Sequence, residues 1–214
     1  ADWGVVLAKH LQRLLADRSE DFLHFNASCA KPTTDVIADL CRRSGAGDAA
    51  KYRKQARRIR SSLDTLWDDD SGMFFAASED CRQIDIWGSA YAVYVGAASR
   101  RQSARIAEYL DRNYSSIVSH GQVRHLPAGQ FWERMLIPIK PGTYQNGAFW
   151  GTASGWVIAV LARRNPEKAA EMFNALVVDY QNHGIHECIN GEYRKVPHYV
   201  ASATNPYGVV RAML

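Results

Sequence analysis

The sequence predicts an all-α protein built as a ring of helical hairpins, an (α/α) barrel. Two segments, Ile84–Ala98 and Ala148–Ala162, are apolar or small at almost every position, and a helix that is apolar all round must be buried on all sides. Each is followed by a short turn and an amphipathic helix that is expected to cover it from outside. Such buried helices are predicted to begin roughly 50–60 residues apart, near Asp35, Asp85, Ala148 and Pro206. In such a ring the inner helices point the same way, so their N-terminal ends are expected to share one face.

The first part of the chain alternates helices with polar loops. Apolar residues recur at helical spacing in Trp3–Leu15, in Asp35–Arg43 and in the longer segment Ala49–Trp67, whose other positions are mostly polar or basic. The acidic cluster Asp68–Gly72 predicts a turn that ends the third helix. Met73–Phe75 is expected to follow it as a short extended piece.

The second part contains the two buried helices and the helices that cover them. Arg101–Ile117 is amphipathic and is predicted to pack outside the first buried helix. Asn165 is a good N-cap and proline is favoured at the first helical position, so a helix is expected from Pro166 to about Tyr180. A polar segment then leads to a final apolar helix that begins near Pro206.

Composition and charge narrow the classes of function. The 214 residues fit one domain, and 47% hydrophobic residues are enough for a substantial core. The net charge of +4 is too small and too dispersed to indicate nucleic-acid binding, and no apolar run reaches the ~20 residues that span a bilayer. The sequence has no visible signal peptide, so a soluble protein of unknown compartment is expected. The 4 cysteines form no zinc pattern, and neither a metal nor a cofactor is predicted.

The stretch Pro141–Trp156 combines aromatic rings and amides at the predicted start of a buried helix. Asn146 is suited to cap that helix, because its side-chain oxygen can accept a bond from an unpaired backbone N–H. Gly147, Gly151 and Gly155 are four residues apart and would let a neighbouring helix approach closely. Aromatic rings cover the C–H faces of sugars, and amides meet their hydroxyl groups. A carbohydrate site fits this stretch, and so does an ordinary core helix with a polar N-terminal end.

Four segments carry a resemblance to a known group of enzymes. They are Asp2-Trp3-Gly4, Leu66–Phe74 (LWDDDSGMF), Tyr144–Trp150 (YQNGAFW), and Gly184–Glu187 followed by Tyr199–Ala203. In these segments the sequence resembles the six-hairpin, (α/α)6-barrel glycosidases, a superfamily that includes trehalases, processing-type α-glucosidases, glycogen-debranching relatives and phosphorylases that act on cellobiose. The resemblance implies an all-α toroid of six helical hairpins and the cleavage of glycosidic bonds.

The resemblance covers only the later part of the family barrel. About eight helices are predicted in this chain, whereas a closed ring of six hairpins has twelve. Residues 1–214 are therefore expected to form a single (α/α)-barrel domain that is incomplete, a C-terminal fragment of a larger catalytic domain. Missing N-terminal hairpins, or a partner chain, are expected to complete the barrel.

Glycoside cleavage uses two carboxyl groups that flank the scissile bond. The resemblance implies that Glu187 is the general base and Asp2 the general acid of an inverting enzyme acting on α-glucosidic or similar bonds. Asp85 is the competing acid. Both aspartates also fit a helix cap, and Glu187 also fits an ordinary surface loop. The predicted sugar-binding wall consists of Trp3, Trp87, Tyr144, Gln145, Asn146 and Trp150.

Other functions are open on the same toroid. A sugar epimerase or isomerase would place catalytic histidines in the cavity, and His125, His186 and His198 keep that function open. A disaccharide phosphorylase would need a phosphate-binding cluster of arginine and histidine at the mouth. A non-catalytic carbohydrate-binding remnant is expected if the absent hairpins hold essential groups.

Overall fold

Helices paired as hairpins make up most of the structure, a computed structural model that describes residues 38–39, 41–43, 48–77, 81–135 and 137–213. Residues 38–39 and 41–43 are helical. The helices that follow are α1 Ala49–Leu63, α2 Ile86–Tyr94, α3 Arg100–Arg112, α4 Tyr114–Ile117, α5 Ser154–Ala162, α6 Pro166–His183 and α7 Val200–Arg211. The 3-10 turn Asp64–Leu66 follows α1, and the 3-10 turn Gly151–Ala153 precedes α5. The predicted helix Trp3–Leu15 and the predicted helix start at Asp35 lie outside the described residues.

Helices α2 and α5 form the interior, as their composition predicts. Every residue from Ser154 to Leu161 in α5 is buried. Helix α2 is buried over most of its length. Its N-cap is Asp85, whose side chain accepts a hydrogen bond from the backbone N–H of Trp87. Both helices belong to one continuous apolar cluster, which also includes the buried stripe of α3. Burial on all sides is thus the physical reason for their uniform apolar sequence.

Helices α2 and α5 run in the same direction. The rings of Trp87 and Trp150 lie 5.6 Å apart at the N-terminal ends of the two helices. Further along both helices, the rings of Tyr91 and Trp156 lie 4.7 Å apart. Later residues of one segment contact later residues of the other, so the two helices are parallel.

Helices α5 and α7 are parallel by the same argument. An added Cβ at Gly151 would contact Ser202, and one at Gly155 would contact Pro206. The two glycines therefore allow α7 to approach closely, as the spacing of glycines predicts, although Gly147 lies outside the helix. Helices α2, α5 and α7 thus begin at the same end of the structure, and the predicted all-α architecture with inner helices opening on one face is confirmed.

Helices α3 and α6 cover the inner helices from outside. Helix α3 begins with a capping box, in which the side chains of Ser99 and Gln102 bind each other's backbone N–H. Helix α6 is capped by Asn165 and has proline in its first turn, as predicted. Near the end of α6, the Tyr180 hydroxyl lies where a Cβ on Gly151 would be, at the beginning of α5. The outer helix α6 is therefore antiparallel to the inner helix α5, as a helical hairpin requires.

The predicted start of the second buried helix is wrong. The helix does not begin at Ala148 but at Ser154, because residues 149–150 form backbone hydrogen bonds with Val123 and Ile189. The residue at the N-cap of α5 is Ala153, so the predicted cap role of Asn146 is also wrong.

The ends of two other predicted helices differ for similar reasons. Helix α1 stops at Leu63 rather than Trp67, because Trp67 pairs with Phe74 in a short antiparallel ladder. The first buried helix starts after Ile84, which forms a bridge with Phe75. It ends before Gly96, whose φ of 68° is a left-handed conformation that favours glycine.

Helix α7 begins at Val200, six positions before the predicted start at Pro206, and Pro206 lies inside it. A proline inside a helix has no N–H to donate to the carbonyl four residues earlier. Here that carbonyl belongs to Ser202, and it accepts a hydrogen bond of 2.7 Å from the Tyr180 hydroxyl on α6. The outer helix thus replaces the hydrogen bond that the proline cannot form.

Short strands accompany the helices, and the sequence predicted only one of them, Met73–Phe74, as extended. In the described residues they form three antiparallel pairs: β1 Trp67–Asp68 with β2 Met73–Phe74, β3 Val118–Ser119 with β4 Gln122–Val123, and β5 His186–Asn190 with β6 Tyr193–Pro197. The β5–β6 hairpin lies in a segment that was predicted only as polar. These hairpins lie in the connections of the helical ring and do not change its class.

Replacing Gly151 by alanine is expected to destabilise the protein by about 1–3 kcal/mol, because the added Cβ would lie 1.8 Å from the Tyr180 hydroxyl. The double variant Gly151→Ala/Tyr180→Phe should recover part of this loss. Gly208→Ala is the matched control on α7, since nothing lies within 4 Å of its added Cβ. Urea unfolding measures all three free energies, and equal losses for Gly151→Ala and Gly208→Ala would contradict this packing.

Candidate active site

A backbone ladder organises the end of the structure where the inner helices begin. Val123 and Trp150 exchange two hydrogen bonds of 3.0 and 2.9 Å, and Phe149 and Ile189 exchange two of 2.8 Å. Residues 149–150 therefore join β4 to β5, so that the β3–β4 and β5–β6 hairpins belong to one small sheet. Trp150 directly precedes the 3-10 turn that leads into α5, which places this sheet at the N-terminal end of that helix.

Glu187 lies on β5 and is only 7% exposed. Its Oε1 accepts a hydrogen bond of 3.2 Å from the Tyr144 hydroxyl. The Tyr144 ring lies 4.9 Å from the ring of Trp150, and the Lys195 ammonium lies 4.6 Å from the centroid of the Tyr144 ring. The structure thus brings together three residues that were predicted for the site, Glu187, Tyr144 and Trp150.

Residues next to Glu187 have unusual backbone conformations. The angle φ is 44° at Tyr144, 46° at Val196 and 62° at His198. Val196 lies on β6 between Lys195 and Pro197, which pair with Cys188 and His186 on either side of Glu187, and a left-handed conformation is rare for a β-branched residue. Such conformations cost roughly 1–3 kcal/mol each and are concentrated at functional sites. Their presence around Glu187 supports a functional role for this end of the hairpin.

Burial and the carboxylate of Glu187 change the acidity of the neighbouring side chains. Burial, and then the charge of Glu187, raises the pKa of the Tyr144 hydroxyl. The same two causes raise the pKa of the Cys188 thiol to about 11. Both groups are therefore protonated at neutral pH, and Tyr144 acts as a hydrogen-bond donor to Glu187.

A row of rings leads from Glu187 and Tyr144 to Asp85. The ring of Trp150 meets that of Trp87 edge-on at 5.6 Å, and Trp87 stacks on His125 at 3.8 Å. At the end of this row, His125 Nδ1 lies 3.5 Å from Asp85 Oδ1. Asp85, the competing acid of the sequence prediction, thus lies at the far end of the row, where it also caps α2.

The two amides predicted for the sugar-binding wall differ in their surroundings. Asn146 is 1% exposed, accepts a hydrogen bond from the backbone N–H of Trp132 and donates one to the carbonyl of Ile139. The side chain of Gln145 is exposed, and the backbone carbonyl of Gln145 accepts a hydrogen bond from the Trp132 indole. Asn146 therefore shapes the loop between Trp132 and Tyr144, whereas Gln145 presents its amide to solvent.

The remaining predicted site residues are placed as follows. Trp87 and Trp150 are 7% and 4% exposed and belong to the apolar core, so only their edges can reach a bound molecule. Asp2 and Trp3 lie outside the described residues.

Three side chains at this site were not assigned a role by the sequence. Trp132 holds the loop described above, Lys195 lies over Tyr144, and Tyr199 lies 6.4 Å from Trp150. A usable signal existed for Lys195, because Asn190-Gly191 is typical of a hairpin turn and predicts a strand that returns beside Cys188. In the structure the central turn residues are Gly191 and Glu192, since Asn190 pairs with Tyr193.

Neither a metal site nor a membrane span is present in the part of the chain that the structure describes. No three side chains of His, Cys, Asp or Glu lie together there in the way that a metal site requires. No helix there is both long and apolar enough to cross a membrane.

Comparisons with known proteins rest on structure alone, because no protein family and no curated protein matches the sequence. The structure is similar to the GH63 mannosylglycerate hydrolase from Thermus thermophilus in complex with glucose, with a TM-score of 0.66 and 15% identity over 97% of this chain and 54% of that chain. The same hydrolase in complex with Tris and D-glycerate matches with a TM-score of 0.65 and 14% identity over 85% of this chain and 44% of that chain.

A third solved structure, an uncharacterized conserved protein from the same organism, has a TM-score of 0.62 and 14% identity over 88% of this chain and 48% of that chain. This chain spans about half the length of the solved structures it matches. At these identities the likeness concerns the fold. The fold is that of the (α/α)-barrel hydrolases it matches, which confirms the fold class predicted from the sequence.

The raised pKa of Cys188 makes stability depend on pH in the alkaline range. The folded protein keeps this proton up to about pH 11, whereas the unfolded thiol ionises near its ordinary pKa of 9.0. Between these values the folded state binds more protons, so the free energy of unfolding falls as pH rises, by roughly 2–3 kcal/mol in all from this group. In Cys188→Ala the fall should be correspondingly smaller, as measured by urea unfolding across this range. Parallel curves for the two proteins would contradict the raised pKa.

Proposed function

We propose that this chain forms part of an O-glycosidase site in which Glu187 acts as the general base. The observation that carries the proposal is the placement of Glu187. Its carboxylate is buried and hydrogen-bonded to Tyr144, whose ring packs against Trp150, at the end of a glycosidase-like barrel where the inner helices begin. A carboxylate that activates water must be held in one orientation, and the hydroxyl of Tyr144 holds this one. The flanking residues with positive φ support the same conclusion.

The proposed reaction is cleavage of an α-glucosidic or similar bond with inversion. An inverting enzyme holds its two carboxyl groups about 6.5–9.5 Å apart, which leaves room for a water between Glu187 and the sugar. The resemblance to the glycosidase superfamily supports Asp2 as the general acid that protonates the leaving oxygen. Asp85 is the alternative acid, although it already caps α2 and faces His125.

Carbohydrate binding is proposed for the exposed and half-buried groups near Glu187. Tyr144 and the edge of Trp150 would cover a sugar face, and Gln145 would meet a hydroxyl group. The similar hydrolase that was solved in complex with glucose supports a hexose as the bound sugar. Trp87 extends the same wall toward Asp85, and Trp3 is proposed for it from the sequence alone.

The barrel is proposed to be completed by further N-terminal hairpins or by a partner chain. Helix α7 presents an exposed stripe that includes Val200 and Tyr207, which are 68% and 63% exposed. An inner helix of a closed ring has a neighbour on each side, so this stripe is the proposed position of the next hairpin.

A sugar epimerase or isomerase is the second candidate, and one observation favours it. His125 is mostly buried in the row of rings, its Nδ1 faces Asp85, and its Nε2 is buried without a hydrogen-bond partner in the part of the chain that the structure describes. A screen with aryl-glycosides and disaccharides, with and without phosphate, distinguishes the functions. Release of free sugar supports a hydrolase, dependence on phosphate a phosphorylase, and isomerised sugar without cleavage an epimerase. Binding without any turnover would support a non-catalytic remnant.

Glu187→Gln is expected to lower kcat by about 10²–10⁴-fold while sugar still binds, because the amide keeps the shape but cannot accept the proton of the attacking water. Steady-state kinetics on the best substrate of the screen, with binding followed by tryptophan fluorescence, measures both effects. Glu192→Gln is the matched control, since Glu192 is an exposed glutamate in the turn of the same hairpin. Full activity of Glu187→Gln, in a protein whose wild type cleaves the substrate, would rule out the assigned base.

A further inference from the structure

Asp179 is a buried carboxylate on the outer helix α6 that the proposed reaction does not use. Its side chain is 1% exposed. Gln122 Nε2 donates a hydrogen bond of 2.8 Å to Oδ2, His183 Nδ1 lies 3.0 Å from Oδ1, and Arg194 Nη2 lies 3.5 Å from Oδ1. The ring of His120, which is mostly exposed, lies 3.9 Å away. A buried carboxylate with this many partners joins several parts of the chain.

Two of these partners belong to the hairpins that build the candidate site. Gln122 precedes Val123 on β4, and Val123 exchanges backbone hydrogen bonds with Trp150. Arg194 lies on β6 and pairs with Ile189 on β5, two residues after Glu187. Asp179 is therefore tied through Gln122 to the strand that holds Trp150, and through Arg194 to the hairpin that holds Glu187.

The packing of the β3–β4 turn supports the same connection. The turn residues His120 and Gly121 both have positive φ, 51° and 72°, as in a two-residue hairpin turn. An added Cβ at Gly121 would lie 2.5 Å from the backbone atoms Leu176 N and Met172 O of α6. The turn thus lies directly on the helix, one turn before Asp179.

The negative charge of Asp179 compensates the positive charge of Arg194. Arg194 Nη1 and Gln122 Oε1 are buried without hydrogen-bond partners in the described structure. A buried cation is costly unless a counter-ion faces it. Without the charge of Asp179, the guanidinium of Arg194, whose side chain is 25% exposed, would lose its counter-ion and move toward solvent, displacing β6.

We infer that Asp179 is a positioning residue, which sets the distance between Glu187 and the aromatic wall by holding both site hairpins on α6. This inference rests on the proposed function for its effect on turnover. Asp179 touches neither Glu187 nor Trp150 and acts through Arg194 and Gln122. A displacement of a catalytic group by about 1 Å can reduce turnover by ~10²-fold.

The test is Asp179→Asn, which keeps the size and one acceptor oxygen but removes the charge. Asp111→Asn is the matched control. Asp111, on the outer helix α3, is also a carboxylate that joins two elements, since it binds Asn165, Lys168 and Arg164 at the start of α6. These contacts join α3 to α6 and include neither hairpin. Both variants are expected to lose stability, but only Asp179→Asn should lower kcat, by ~10²-fold, with a much smaller change in KM.

The double variant Asp179→Asn/Arg194→Gln adds a readout that a loss of stability would not produce. Removing both partners of a buried pair leaves no uncompensated charge, so the double variant should recover part of the turnover that Asp179→Asn loses. Unchanged kcat in Asp179→Asn, or an equal loss in Asp111→Asn, would overturn the inference.

Hydrogen–deuterium exchange of the full chain separates this inference from the proposed function. In Asp179→Asn, backbone amides in residues 186–197 and 122–123 should exchange faster than in wild type, whereas Asp111→Asn should leave them unchanged. If the wild type cleaves no glycoside, the proposed function fails, and the exchange result still decides whether Asp179 holds the hairpins. Unchanged exchange at both hairpins would overturn the inference in that case too.

Discussion

Residues 149 and 150 form backbone hydrogen bonds in two directions, with Ile189 through Phe149 and with Val123 through Trp150. A buried backbone group needs a hydrogen-bond partner, and an extended segment between two strands supplies partners on both sides. This pairing delays the start of α5 and places Trp150 between the two hairpins. It also sets the position of the strand that carries Glu187. The distances from Glu187 to Tyr144 and from Tyr144 to Trp150 therefore depend on four backbone hydrogen bonds.

The packed helices support this small sheet at their N-terminal ends. Helix α5 is buried along its length, and Gly151 and Gly155 bring it close to α7. Because protein interiors are densely packed, the helices leave their N-terminal ends little freedom to move relative to each other. Short hairpins, which would be only marginally stable alone, gain a fixed position by lying on these ends.

The architecture was predictable because burial leaves a strong pattern in sequence. A helix as uniformly apolar as α5 is stable in water only when other elements surround it, and Asn165-Pro166 marks a helix start through local chemistry alone. The same reasoning failed at Asn146 and Pro206. In both cases a tertiary contact decided the outcome: Asn146 is bound by the Trp132 loop, and the carbonyl that Pro206 leaves open is bound by Tyr180.

The candidate site was harder to predict, since strands of two residues, such as β3 and β4, have no periodic pattern, and β5 and β6 have only five residues each. Glu187 and Tyr144 are 43 positions apart, and their contact depends on a ladder that no local signal announces. The dipeptide Asn190-Gly191 was a visible turn signal for the β5–β6 hairpin, whose central turn residues are Gly191 and Glu192. Recognising it would have shown that Glu187 belongs to a strand and that Lys195 lies nearby. The contacts of Asp179 with Gln122 and Arg194 had no sequence signal, because a single aspartate on an amphipathic helix looks like an ordinary surface residue.

The hydrogen bond from Tyr180 to the carbonyl of Ser202 has a consequence for the order in which the chain folds. A proline inside an isolated helix costs about 3 kcal/mol or more, so the segment that becomes α7 is a poor helix until α6 presents Tyr180 to it. During synthesis α6 leaves the ribosome before α7, so Tyr180 is available when the α7 segment emerges. Helix α7 therefore becomes stable by docking on α6 rather than by its own helix propensity. A circular permutant that placed this segment ahead of α6 would have to keep it unfolded, with its apolar side exposed, until the rest of the chain had been made.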